Sequence, residues 1–139
     1  FEEYNAHTDP TGRYFTLYKR WHLIGLEVGV SVASVALRGE PTGVASGWNA
    51  DVVATAKRDL QPGEMLDGEG GYTVWGKLLP ASTSLQMGGL PLGLAHNVKL
   101  VRPVKKGQSL SWADVAMDTN THAYRVRREM EQMFAGVKK

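Results

Sequence analysis

The chain contains no cysteine. Disulfides, thiolate metal ligation and a cysteine nucleophile are therefore excluded, which fits a reducing, cytoplasmic setting. Charge of one sign is also scarce in excess: 16 Lys and Arg against 14 Asp and Glu leave a formal net charge of +2. So small a balance gives no electrostatic footprint for nucleic acid or an anionic membrane. The basic stretch "YRVRREMEQMFAGVKK" is interrupted by Glu129 and Glu131 and reads as a solvated helix face. Long apolar runs are missing as well. The longest candidate, "HLIGLEVGVSVASVALRG", carries Glu27 and several Gly or Ser positions, and stops short of the roughly 20 residues that span a bilayer. No signal-peptide pattern is visible.

Motifs for chemistry are sparse. The histidines at 7, 22, 96 and 122 have no H-x-x-x-H spacing, and Asp67 and Glu69 are the nearest carboxylates to a pair, both on a turn. No metal site is expected from them. There is no Gly-x-Ser-x-Gly and no Gly-x-Gly-x-x-Gly. The glycines of "DGEGGYTVWG", 67–76, could cradle a phosphate on backbone N–H groups, but a turn entering a strand is the stronger reading. Tryptophans 21, 48, 75 and 112 are scattered, as packing residues are.

What is present fits one domain with an appended arm: 139 residues, 42% hydrophobic and 22% charged. The chain starts at Phe1, which suggests a fragment or a processed product. Residues 1–13 read as a ragged loop, and 14–50 as a strand and helix arm. In that arm "YFTLYK" alternates like a strand, while Leu23, Leu26, Val30, Ala33 and Leu37 recur at helical spacing. Arg38, Gly39 and Pro41 form a helix stop, and 39–50 a Gly/Pro/Ser loop. Residues 51–119 carry short β-rich runs, "DVVATAKRDL", "YTVWGKLL" and "VKLVRPV", separated by turns. Residues 120–139 predict a terminal helix and tail, capped by Asn120 or Thr121, with Ala123, Val126, Met130 and Met133 or Phe134 as its apolar stripe. The fold class expected is mostly β with flanking helices (α+β).

Within the β-rich region a single phrase occurs twice. "KRDLQPGEML" at 57–66 and "VRPVKKGQSL" at 101–110 align with Arg58 on Arg102, Leu60 on Val104, Gly63 on Gly107 and Leu66 on Leu110. Glu64 falls on Gln108, and Pro103 stands where the first copy has Asp59. Each copy places Gly at the corner, where a positive φ is needed. Two such units predict a duplicated β structure in which each half covers the apolar face of the other about a pseudo-dyad.

These residues carry a resemblance. "VVATAKRDLQPGEMLDGEG" and "GLPLGLAHNVKLVRPVKKGQSLSWADV" are similar to the SAF domain, a β-clip module. With "TLYKRWHLIGLE" and "SVASVALRGEPTG" in front, the chain over most of 14–134 resembles the carboxyl end of homoserine dehydrogenase-like, deoxyxylulose phosphate reductoisomerase-like NAD(P)-dependent oxidoreductases. The resemblance implies a missing amino-terminal dinucleotide-binding domain, a missing substrate domain completed by the arm, and a homo-oligomer. NAD(P) would belong to the parent protein, and this piece would bind no dinucleotide. In the arm, His22 would then be a candidate proton shuttle, with Lys19 and Arg20 as candidate cations for a substrate phosphate or carboxylate. The plainer reading makes Lys19 and Arg20 surface charges and His22 a satisfied structural histidine. Other readings of the whole are a stand-alone SAF-type binder of sugar acids or carbohydrates, and a structural oligomerisation module resting on the small-residue helix.

Overall fold

A computed structural model describes residues 7–18, 20, 21 and 23–135. The chain is mixed, mostly β with helices, and its strands pair antiparallel throughout. It forms two compact units that divide between Ala45 and Ser46.

The first unit opens with a small hairpin, β1 (His7–Thr8) against β2 (Phe15–Thr16). Its turn is organised by the Asp9 carboxylate, which accepts from the Thr11 hydroxyl at 2.5 Å and the Tyr14 amide at 2.9 Å. A carboxylate that closes its own turn in this way is a standard loop device; of the ragged loop expected at 1–13, residues 1–6 lie outside the described residues and the rest is ordered by this hairpin. The expected strand over "YFTLYK" is cut to Phe15–Thr16, and Lys19 lies outside the described residues. Helix α1 (Ile24–Arg38) follows the expected apolar periodicity. It stops at Gly39, whose φ of 65° is left-handed and whose amide returns to the Val35 carbonyl at 3.0 Å. Glu27, Ser31, Ser34 and Arg38 share one narrow side of this helix. There Arg38 donates to Ser34 at 3.0 Å and Ser31 meets Thr42 at 3.3 Å. The rest of its circumference is apolar or small.

The second unit holds β3 (Ala50–Ala56), β4 (Met65–Asp67), β5 (Val74–Pro80), β6 (His96–Leu100) and β7 (Val115–Ala116), with α2 (Ala81–Met87) and α3 (His122–Ala135). β3 pairs with β5 along its whole length, while β6 pairs with β4 on one side and β7 on the other. The duplication is written into the hydrogen bonds. Leu60 and Val104 exchange amide bonds with each other, at 2.9 and 3.1 Å. The Gly63 amide donates to Leu100 O and the Gly107 amide to Ala56 O, both at 2.8 Å. Leu100 N donates to Glu64 O at 2.8 Å, and Ala56 N to Gln108 O at 3.0 Å. Moving each residue of one phrase to its aligned position in the other turns every bond of this set into another member of it.

The strand pairs obey the same exchange. Met65 faces Lys99 as Ser109 faces Thr55, and, past a three-residue difference in loop length, Leu100 faces Val115 as Ala56 faces Val74. The core follows. Leu60 with Val104, Leu66 with Leu110, Ala56 with Leu100, Ala54 with Val98 and Val74 with Val115 account for all the cluster's buried residues except Leu90 and Ala95. Each half supplies apolar side chains that it cannot cover alone, so the halves interlock, and each buried Leu contributes about 1.5–3 kcal/mol. Both corners have the positive φ expected of glycine, 94° at Gly63 and 81° at Gly107.

Two features of the second unit depart from the sequence reading. Residues 81–87, between two strands, form the short helix α2. α3 is capped by the Thr121 hydroxyl as expected, which accepts from the Tyr124 amide at 3.3 Å. Its buried face, however, is not the expected stripe. Of that stripe Met130 and Phe134 are half-buried, but Ala123, Val126 and Met133 are exposed, whereas Glu131 is buried and Arg127 nearly so. The charged residues turn inward because their partners wait there.

Candidate functional site

Of the residues singled out in the arm, Lys19 and His22 lie outside the described residues. Arg20 is exposed, with its guanidinium carbon 5.2 Å from the centre of the Trp21 ring. That places one cation on one aromatic face at the surface.

The most heavily charged assembly in the second unit was not legible in the sequence. Asp51, the second residue of β3, accepts from Arg127 Nη1 at 3.0 Å and Nη2 at 2.5 Å, and from the Ser84 hydroxyl at 2.5 Å. Arg127 Nε donates to Glu131 Oε1 at 2.8 Å, one helical turn along. Glu131 also accepts from Arg128 Nη1 and, at 3.3 Å, from the Trp112 indole N–H. Burial works against the charge of Asp51, but the Arg127 fork and the Ser84 hydroxyl outweigh it and hold its pKa below the usual value. Burial likewise opposes the charge on Arg127, and Asp51 and Glu131 raise its pKa nevertheless. Two cations balance two anions. Arg127 also lies 4.7 Å from the Trp48 ring centre, and Trp48 meets Phe134 edge to face at 6.0 Å.

This clasp fastens α3 to β3 and α2. No buried side-chain N or O among the described residues lacks a partner. Its buried core, Arg127 with Asp51 and Glu131, is engaged in holding the elements together. Shallow clefts flank it, one of about 540 Å³ beside Met87, Ser111 and Trp112, the other of about 790 Å³ beside Trp48, Ser82 and Phe134. Among the described residues no group of three or more His, Cys, Asp or Glu is placed to hold a metal ion.

A second candidate lies where the two halves of the β unit stop matching. After Leu110 the chain makes a tight connection. Ser111 accepts and returns bonds with Asp114, its amide and hydroxyl donating to Asp114 Oδ2 at 2.8 and 2.7 Å, and only Trp112 and Ala113 lie between. After Leu66 the roles are exchanged. Asp67 is now the carboxylate and Thr73 the hydroxyl, and the amides of Tyr72 and Thr73 donate to Asp67 at 2.5 and 3.0 Å. Five residues, Gly68–Tyr72, stand where two suffice in the other half. Burial raises the Asp67 pKa, but the Thr73 hydroxyl and the two amides win and lower it to about 2. The loop turns back on itself through Gly71 N to Gly68 O at 3.3 Å, and Lys57 Nζ donates to Gly71 O. The Asp67 carboxylate fills the space that a Cβ on Gly71 would need. It thus occupies the inside of the loop as its resident anion, which makes the turn reading of these glycines right and a phosphate cradle unsuited.

His96 sits on this loop. Leu66 pairs with Val98 but Asp67 with His96, so Asn97 is an extra residue, with φ at 55°. Such a bulge bends the strand and re-aims its neighbour. His96 Nδ1 comes to 3.0 Å from Asp67 O, and the ring lies against Gly68, where a Cβ would approach it to 3.0 Å.

No described helix is long and apolar enough to cross a membrane. No family model matches this chain, and no curated protein matches it either.

Proposed function

We propose that the chain works as the carboxyl-terminal, β-clip portion of an NAD(P)-dependent oxidoreductase of the homoserine dehydrogenase-like kind, in the cytoplasm. In this reading α1 completes the substrate domain and the subunit interface, the interlocked β unit forms a wall beside the cleft, and the dinucleotide binds elsewhere. The observation that carries it is the surface of α1. Leu23, Ile24, Leu26, Val28, Val30, Val32, Val35 and Leu37 are each more than half exposed. A helix apolar around most of its circumference belongs inside a larger body or a bilayer. With 15 residues α1 is shorter than the roughly 20 a bilayer requires, so protein is the fitting surround.

Gly25, Gly29 and Ala33 fall four apart along one line of α1, and a Cβ on either glycine would meet nothing within 4 Å. A line of small residues between large apolar flanks lets a neighbouring helix approach closely, which supports the interface role. Gly29→Leu then leaves the second unit folded while abolishing self-association in sedimentation velocity.

The direct test of the oxidoreductase reading is the coding region upstream of Phe1. A strand followed by Gly-x-Gly-x-x-Gly is the expected result. Its absence, or tight calorimetric binding of NADPH by this chain alone, contradicts the reading.

A further inference from the structure

An internal duplication supplies its own control, because what one half omits the fold does not demand. In the second half the ladder stops after the pairs Leu100 with Val115 and Lys99 with Ala116. In the first half it runs on from the equivalent pairs, through Ala54, Val53, Val52 and Asp51, to Ala50 opposite Pro80. One face of this extension is sealed. Asp51 and Val53 are buried there, with Asp51 held by Ser84 of α2 and Arg127 of α3. The other face is apolar and bare. Val52 and Leu78 lie opposite each other, 43% and 69% exposed, with Ala50 and Pro80 exposed beyond them.

The edge of the extension is bare as well. Ala54 and Ala56 spend their amides and carbonyls on the far side of β3, on Leu90, Gln108, Leu110 and Gly107. Successive residues of a strand point their backbone groups to alternate sides. β5 is therefore held to β3 through Trp75, Lys77 and Leu79, while Gly76 and Leu78 aim their amides and carbonyls outward. Among the described residues nothing bonds to these two on that outer side. Pro80, next in the alternation, offers a carbonyl there but no amide. An unpaired apolar edge with open donors and acceptors is a template for a further strand.

We propose that β5 pairs antiparallel with β5 of a second copy of this chain, about a twofold axis at Leu78. The outward groups choose this register. A centre at Lys77 would set two like charges directly opposite each other. A centre at Gly76 would bring the second copy's Leu78 to Val74, which is fully buried. With Leu78 at the centre, the two Leu78 residues exchange amide bonds, and each Gly76 amide meets the second copy's Pro80 carbonyl. Every outward donor of Gly76 and Leu78 is then used, and the amide that Pro80 lacks is not called on as a donor. Val52 and Leu78 of both copies form one apolar strip across the joined sheet. A contact this short falls below the about 1,200 Å² of a stable complex. The pairing therefore rests on the α1 interface proposed above, which brings the copies together and raises their effective concentration. Residues 39–49, between the two units, hold no helix or strand, which gives the β unit reach to find its counterpart.

The absence of cysteine gives the test a clean background. Leu78→Cys replaces an exposed side chain, so folding should tolerate it. In a directly opposed, hydrogen-bonded pair the two Cα atoms lie about 5.5 Å apart, within reach of a disulfide. Under copper phenanthroline the Leu78→Cys chain should form a reducible covalent dimer about tenfold or more faster than Tyr72→Cys, an exposed site outside the pairing. Lys77→Cys should link more slowly than Leu78→Cys. Sedimentation velocity of the reduced Leu78→Cys chain reports the α1 dimer separately. A reduced dimer in which Leu78→Cys links no faster than Tyr72→Cys overturns the pairing and leaves the α1 interface standing. Fastest linkage at Lys77→Cys overturns the register proposed, and a reduced chain that stays monomeric overturns the α1 interface and the pairing together.

Discussion

The two halves of the β unit solve one folding problem with different residues. In the first, Glu64 closes the corner by accepting the Gln61 amide at 2.6 Å and binds Arg58 at 2.5 Å. In the second, Gln108 accepts the Lys105 amide at 3.2 Å at the equivalent place, without the charge. Asp59 reaches across to Lys105 Nζ and the Lys106 amide, both at 2.9 Å, while its counterpart Pro103 has no side chain able to do so. The frame of glycine corners, exchanged amide bonds and paired apolar residues is common to both. The charged dressing and the loop after the last strand residue are not. Shared geometry marks what the fold needs, and the differences mark what each half is free to change.

The largest effect expected on this comparison comes from outside both halves. Arg127→Met strands Asp51 and Glu131 in a buried setting and should cost about 3–5 kcal/mol in urea unfolding. Asp51 lies on β3, so the loss should reach the β unit and not the helix alone. Next come the matched core positions. Leu66→Ala and Leu110→Ala should each cost about 2–5 kcal/mol and agree with one another to about 1 kcal/mol, since both sites are fully buried and equivalent. A large inequality would break the comparison. Gly63→Ala and Gly107→Ala should each cost about 1–2 kcal/mol, because a Cβ must then accept a positive φ. Both corners have open space, so backbone strain alone is measured.

The smallest effect sharpens the difference. The Asp67 pKa, at about 2, lies below the 3.8 of an unperturbed Asp. Its contribution is therefore fully present above roughly pH 4 and is lost as pH falls towards 2. Asp67→Asn should remove that share of the acid limb in a stability–pH series, leaving the neutral-pH dependence unchanged. The residue is only half-buried, so the slope is modest.

Much of the frame was legible before any coordinates. The repeated Arg–apolar–Gly–Leu order located both corners and paired Leu60 with Val104 and Leu66 with Leu110, because positive φ and apolar spacing are local demands that leave local marks. The end of α1 was legible for the same reason, in Arg38, Gly39 and Pro41. Other features depend on distant partners. Arg127 and Glu131 lie in the stretch that reads as a solvated helix face, since only Asp51, far back in the chain, reveals that they are buried. Residues 81–87 are short, follow Pro80 and hold three Ser or Thr, so propensity alone does not make them helical. The bulge beside His96 comes from its register with Asp67, a distant partner that leaves no local mark. Of the arm's three candidates, Arg20 is placed at the surface on Trp21.

The interlocked duplication underlies the rest of the account, and native-state hydrogen exchange tests it most directly. The amides of Leu60 and Val104, of Gly63 and Gly107, and of Ala56 and Leu100 are donors in exchange-related bonds. If the halves hold each other closed, all six should open with one free energy, equal to that of global unfolding, and respond alike to denaturant. Exchange of one half's amides through a lower-energy opening, with the other half still protected, would contradict the account.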